Sequence, residues 1–115
     1  MVFSESLKNN RDFQHIYRKG KSLANRYLVL YVMENGSDIN RLGISVSKKV
    51  GNSVVRHRLT RLVRESYRLH ESEFKRGLDL VVIARTTAKD TNYHQIESAL
   101  LHLARLHKVL VSGGQ

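Results

Sequence analysis

The 115-residue chain has no cysteine and no proline. Without cysteine there is no disulfide, no thiolate zinc site and no thiol nucleophile, a composition that suits a reducing compartment. Long apolar runs are also missing. The longest, Leu28 to Met33 and Leu80 to Ala84, fall far short of the roughly 20 residues that span a bilayer. No charged segment followed by an apolar one opens the chain, so no signal peptide is expected. Acidic residues are scarce, ten against twenty Lys and Arg, and they are scattered. Two-metal phosphodiester cleavage needs clustered carboxylates; no DxD set occurs, and Glu71 and Glu73, which alternate in an expected loop, read as a solvated pair rather than a metal site. The six histidines show no ligand spacing either: His102 and His107 are five apart and His94 stands alone. Neither a catalytic group nor a metal site is therefore expected in the chain itself.

What is present is positive charge. The formal net charge is +10, with a sequence pI near 10.3, which points to a polyanionic partner. The charge is concentrated. Residues 41–68 carry Arg41, Lys48, Lys49, Arg56, Arg58, Arg61, Arg64 and Arg68 against Glu65 alone. A solvated helix face ordinarily mixes signs; this segment does not.

The length suits one domain. The pattern predicts a helix over 11–19, with Asn10 as N-cap and Gly20 just past the end. Phe13, Ile16 and Tyr17 share its apolar face. Tyr27 to Met33 reads as a strand apolar on both faces, followed by an Asn35-Gly36 turn. A second strand runs from Arg41 to Lys48, with Leu42, Ile44 and Val46 on one side and Gly43, Ser45 and Ser47 on the other. The second side has so little bulk that it is expected to pack no helix and to leave room for a ligand backbone. A helix follows Gly51-Asn52 and reaches His70. A buried strand spans Leu80 to Arg85. A last helix spans 92–110, capped by Asp90 or Thr91, with Tyr93, Ile96, Leu100, Leu103 and Leu110 inward. Gly113-Gly114 is expected to fray. Helix, strands, helix, strand, helix give an α+β sandwich.

With Arg58 set at 0° and about 100° per residue, Leu69, Leu62, Val55, Leu59 and Val63 fall between roughly 20° and 140°, an expected core stripe. His57, Arg61, Arg64 and Arg68 fall between roughly 240° and 300°, and Arg58 closes the arc. Arg56 lies apart, beside Tyr67. One face is thus a rail of guanidinium groups, repulsive on its own and favourable against phosphate. Guanidinium forks meet phosphate bidentately and stack on unpaired bases. A membrane surface would want an exposed apolar face, and here that face is committed to a core.

The stretch Arg41-Leu-Gly-Ile-Ser-Val-Ser-Lys-Lys-Val-Gly-Asn-Ser-Val-Val-Arg-His-Arg-Leu-Thr-Arg-Leu-Val-Arg-Glu65 resembles the signature of the bacterial ribonuclease P protein subunit family. Asp12-Phe13, Tyr17, Gly20-Lys21-Ser22, Ala24-Asn25-Arg26 and Ile83-Ala84-Arg85 extend the likeness over roughly residues 6 to 108. Two positions depart from the family pattern: His57 stands where Asn is usual, and Thr60 where Lys is common. The resemblance implies one RNA-binding domain over 1–115, with 110–115 a frayed tail, and a left-handed βαβ crossover through the basic helix. It implies partnership with a large catalytic RNA and with precursor tRNA, and removal of the 5′ leader by the complex. RNA contacts are implied at Lys48, Lys49, Asn52, Arg56, His57, Arg58, Arg61, Arg64 and Arg68. A cleft for the single-stranded leader is implied at Phe13, Tyr17, Asn25, Arg26, Tyr31, Ser45 and Ser47; for Phe13, Tyr17 and Tyr31 ordinary core packing is the alternative. Mg2+ is implied for the complex, held mainly by RNA, in the cytoplasm. No membrane and no small-molecule substrate are implied. The rival classes are a non-enzymatic RNA-binding module, a protein-only nuclease and a membrane-surface protein.

Overall fold

A computed structural model describes residues 1–111. Its elements are β1 (Ser4–Ser6), α1 (Asn10–Lys19), β2 (Lys21–Ala24), β3 (Leu28–Glu34), β4 (Asn40–Ser45), α2 (Ser53–His70), β5 (Leu78–Ala84) and α3 (Tyr93–Leu106). The strands form one sheet in the order β1-β4-β5-β3-β2. β4 runs parallel to β5 and to β1, whereas β3 is antiparallel to β5 and β2. The fold is a mixed α+β sandwich, and β4–α2–β5 is its parallel crossover.

Alternation along β3 explains the layering. Leu28, Leu30 and Val32 point into the main core with Leu42, Leu80 and Val82, under α2 and α3. Tyr31, Val81 and Ile83 point the other way, where Ile16, Phe13 and Tyr17 of α1 cover them. Both faces of β5 are therefore buried, as its continuous apolar run requires. The Asn35-Gly36 turn forms, with Gly36 at φ 74°.

The helix ends differ in detail from the expectations. Asn9 rather than Asn10 caps α1, accepting from the Arg11 amide at 2.9 Å, and Gly20 is extended, not left-handed. Asn92, not Asp90 or Thr91, caps α3 in a reciprocal capping box with Gln95. α3 stops at Leu106. Leu110 lies beyond it, bridged to Phe74, and the Val111 amide donates to Glu73 at 2.7 Å. These two residues are tied down rather than frayed; the glycine pair lies outside the described residues.

The core stripe of α2 is rotated from its expected position. Leu59, Val63, Ser66 and Tyr67 are buried, while Leu69 is 53% exposed. Tyr67 goes inside because its hydroxyl finds partners there, as buried tyrosines require. It pairs with Ser4 Oγ at 2.6 Å and accepts from Asn40 Nδ2 at 3.1 Å. Asn40, itself buried, also donates to the Lys75 carbonyl and accepts from the Leu78 amide. Glu71 accepts the Val2 and Phe3 amides at 2.6 and 2.9 Å, which seats β1 at the sheet edge.

His70 joins the end of α2 to α3. Its Nδ1 lies 2.5 Å from Glu73 and its Nε2 2.7 Å from Glu97, which also accepts from Tyr93. The Glu97 hydrogen bond raises the His70 pKa most; partial burial opposes it and Glu73 adds to it. A raised folded-state pKa contributes stability that is fully present below the unfolded value and lost as pH rises through the folded one. The denaturation midpoint should therefore fall as pH climbs above about 6.5. His70→Gln should flatten that slope, measured by urea titration at several pH values.

Candidate RNA interface

Two exposed features flank the sheet. The first is α2. Asn52 caps it, its Oδ1 accepting from the Val55 amide at 3.0 Å. Lys48 and Lys49 occupy the exposed turn leading in, closed by the Val50 amide on the Ser47 carbonyl. His57, Arg61 and Arg64, with Thr60, line an open groove of about 420 Å³. Among the described residues the charged side chains of this groove have no partner, whereas the rest of the expected rail does. Arg56 donates to the Gly51 carbonyl at 3.0 Å. Arg58 reaches back to the Thr91 carbonyl before α3, so it does not close the exposed arc. Arg68 forms a two-point pair with Glu65 at 2.8 and 2.5 Å. Repulsion along the helix is thus relieved internally at three positions, and Lys48, Lys49, His57, Arg61 and Arg64 remain available to an outside anion.

Val54 was not anticipated. It is 74% exposed and falls at about 320° on the same wheel, inside the cationic arc. The wheel itself was the available signal: a β-branched apolar residue between arginines has no core to join and offers a contact for a ribose or base.

The second feature is a cleft on the opposite face, beside α1. Tyr31, Val81 and Gly43 stand in one row across β3, β5 and β4. α1 lies over this row, contrary to the expectation that the small face packs no helix. A Cβ at Gly43 would come within 2.6 Å of the Phe13 ring, so a larger residue there would have to displace that ring. The room left for a ligand begins one pleat further on, at Ser45. There Asn10, Phe13, Gln14, Tyr17, Ile44 and Ser45 line a cleft of about 390 Å³. Tyr17 meets Tyr31 edge-on with ring centroids 5.1 Å apart, and Phe13 is 6.3 Å from Tyr17. All three residues are half-buried, and Phe13 and Tyr17 line the cleft with Tyr31 packed behind them. Burial pushes the Tyr17 phenol up, and a hydrogen bond with Ser45 acts in the opposite sense.

The fold separates the other expected cleft residues from this group. Ser47 is exposed past the end of β4. Asn25 closes the β2–β3 turn, accepting the Tyr27 and Leu28 amides and donating to the Ala99 carbonyl of α3. Arg26 lies over the Tyr27 ring at 5.2 Å. Both line a groove along α3 with His94 and His102, on the side of the sheet opposite α1.

The cleft is held by an ion-pair network. Arg41 binds buried Asp79 at two points, 2.9 and 2.6 Å, and reaches Asp12 of α1 at 3.1 Å. Asp12 adjoins Phe13, so this bridge sets α1 over the sheet. Among the described residues no three His, Asp or Glu side chains converge as a metal site would require, and no helix is long and apolar enough to cross a membrane.

A mixed sandwich carrying a cationic helix on one face and an aromatic cleft on the other defines a small basic protein built around two separate contact surfaces. Residues 1–108 match the Ribonuclease P family. The chain is 62% identical over 109 residues to the ribonuclease P protein component of Lachnoclostridium phytofermentans, covering 95% of this chain and 94% of that one. It is 51% identical over 110 residues to that of Alkaliphilus metalliredigens, covering 96% and 99%. It superposes on the Staphylococcus aureus RNase P protein with a TM-score of 0.85 at 46% identity, covering 92% of this chain and 97% of that one. For the Thermotoga maritima RNase P protein the values are 0.80, 37%, 87% and 96%. The chain belongs to the bacterial ribonuclease P protein family. Membership makes it a component of an endoribonuclease of tRNA processing, partnered with the RNase P RNA.

Proposed function

We propose that the chain docks on the RNase P RNA through the exposed face of α2 and guides the unpaired 5′ leader of precursor tRNA along the Phe13–Tyr17–Tyr31–Ser45 cleft, in the cytoplasm. The observation that carries this reading is the placement of the two surfaces. α2 packs on one face of the sheet and α1 on the other, so two RNA strands can be engaged at once. On α2, Arg61 and Arg64 present bidentate forks to phosphate. In the cleft, aromatic faces can stack unpaired bases.

In this reading the protein positions and the RNA cleaves. The chain's carboxylates are largely engaged: Asp12 and Asp79 with Arg41, Glu65 with Arg68, Glu73 and Glu97 with His70, Glu71 with backbone amides. Among the described residues they do not converge as a magnesium site, which supports the reading that the Mg2+ of the complex is held mainly by RNA. The protein's cations replace part of the ion atmosphere that screens packed phosphates. Reconstituted RNase P RNA should accordingly cleave precursor tRNA alone at high Mg2+ and need this chain at low Mg2+. Replacing any single carboxylate of the folded protein should leave cleavage intact at saturating protein. Loss of cleavage from one such change in an RNA-bound protein would overturn the assignment.

The cleft has its own test. Tyr17→Ala and Tyr31→Ala should each weaken binding of leader-bearing precursor tRNA by about 1–3 kcal/mol, the range for stacking on one base. Binding of mature tRNA should barely change. Equal losses for both would show that these rings only pack the core.

A further inference from the structure

The end of the sheet away from Ser45 holds a second concentration of positive charge. Lys19 from the end of α1, Lys21 from the start of β2, Lys75 before β5 and Lys108 after α3 surround a cavity of about 420 Å³. Its floor is apolar, formed by buried Val32, Leu78 and Val109, and among the described residues Glu34 is its one acidic lining residue. It shares no lining residue with the cleft beside α1 or with the groove on α2. Among the described residues none of the four lysines is ion-paired with a carboxylate. Segments far apart in sequence thus place four lysines around one cavity, where like charges repel one another.

Lys108 sharpens the case. It is the one non-glycine residue with positive φ among those described, at 60°. α3 ends in a full Schellman motif: the Val109 amide donates to Ala104 at 3.1 Å and the Lys108 amide to Arg105 at 3.0 Å. That motif favours glycine or asparagine at the left-handed position, and a side chain kept there against backbone preference points to a role for the side chain. The turn is also firmly placed. The His107 ring meets the Leu30 carbonyl at 2.8 Å, and the Lys75 amide donates to the Val109 carbonyl at 2.8 Å, tying two of the lysine-bearing segments together.

We propose that this lysine-rimmed cavity binds closely spaced phosphates of a nucleotide, with the apolar floor receiving its base or ribose. The volume falls within the range of small-ligand sites. Ammonium groups on flexible stems act as point charges suited to a phosphate chain. The nucleotide has two possible sources, a free nucleoside triphosphate or a nucleotide within an RNA strand. This assignment is independent of how α2 and the aromatic cleft are used.

The full-length protein would be titrated at fixed salt with inorganic tripolyphosphate, with GTP and with a short unpaired RNA. Comparison is with Lys75→Gln/Lys108→Gly in the cavity and Arg61→Ala/Arg64→Ala on α2. The cavity variant should lose about tenfold or more in affinity for at least one probe, as expected from removing two charge-assisted contacts. The α2 variant should keep its affinity for tripolyphosphate and GTP; with the RNA, to which α2 also contributes, the cavity variant should still lose affinity on its own. Loss with GTP and tripolyphosphate identifies a free nucleotide as the source; loss with RNA alone identifies a strand. Lys108→Gly by itself should raise Tm, because it relaxes the left-handed residue, while weakening the same probe, a combination misfolding cannot produce. If all three probes bind the cavity variant as tightly as the wild type, or lose affinity only in the α2 variant, the cavity is not a phosphate site.

Discussion

Raising monovalent salt from about 50 to 200 mM should weaken binding of this protein to the RNase P RNA roughly 250-fold, as expected for about five phosphate contacts and a log–log slope near −4. Among the described residues four cations along α2 and its leading turn have no partner, Lys48, Lys49, Arg61 and Arg64, and the exposed His57 offers a fifth contact. Arg56, Arg58 and Arg68 are left out of this count because each already holds a partner, the Gly51 carbonyl, the Thr91 carbonyl and the Glu65 carboxylate. Arg61→Ala should reduce the slope by about one unit with little effect on folding. Arg58→Ala should instead lower stability, because its partner carbonyl precedes α3, and leave the slope nearly unchanged. Filter binding across a salt series with both variants separates the two roles. A slope shallower than about −2 would mean that α2 is not the main phosphate-binding surface.

The second large effect is expected at Asp79. Its carboxylate is almost completely buried and holds Arg41 at two points, with Asn35 Nδ2 at 3.0 Å. Burial pushes its pKa up, but the hydrogen bonds from Arg41 and Asn35 outweigh that and hold it below the usual carboxylate range. Removing one partner of a buried pair leaves the other uncompensated, so Asp79→Ala should cost about 3 kcal/mol, the low end of the range because part of Arg41 stays in water. Tm should drop by roughly 10–15 °C. Replacing both partners, as in Arg41→Met/Asp79→Leu, should recover much of that loss. α1 would then lack its tie through Asp12, so precursor tRNA binding should stay impaired even where stability returns. The pH dependence has the opposite sign to that of His70. A depressed carboxylate contributes stability above its unfolded pKa, near 4, which is lost as pH falls through the folded value. Thermal scans of wild type and Asp79→Ala between neutral and acid pH should therefore converge at the acid end.

Much of the molecule was legible in its residues. β3, β4, α2, β5 and α3 follow from apolar periodicity. The signature from Arg41 to Glu65 pointed to the family, and the concentration of arginine with few acids pointed to the partner class. β1 and β2 were not legible. β1 is three residues, Ser-Glu-Ser, and β2 is exposed along its length; strands of this kind are defined by the neighbour they pair with rather than by their own pattern. The orientation of α2 was half legible. Charge spacing located the exposed arc, but Tyr67 displaced Leu69 from the core because Ser4 and Asn40, remote in sequence, supply partners for its hydroxyl.

The contact surfaces divide along the same line. Periodicity and charge, which are local properties of the chain, determined that α2 presents cations and that Phe13 and Tyr17 share a helix face. Only the tertiary structure decided which arginines are free, since their competitors are carbonyls of Gly51 and Thr91 that no spacing rule places beside them. It likewise decided that Asn25 and Arg26 lie across the sheet from the aromatic cleft, and that Phe13 fills the space over Gly43 while Ser45 stays open. The four lysines at the far end of the sheet belong wholly to this second category. They are separated by up to 89 positions in the chain, and the packing of α1, β2, β5 and α3 on one another is what brings their charges around a single cavity.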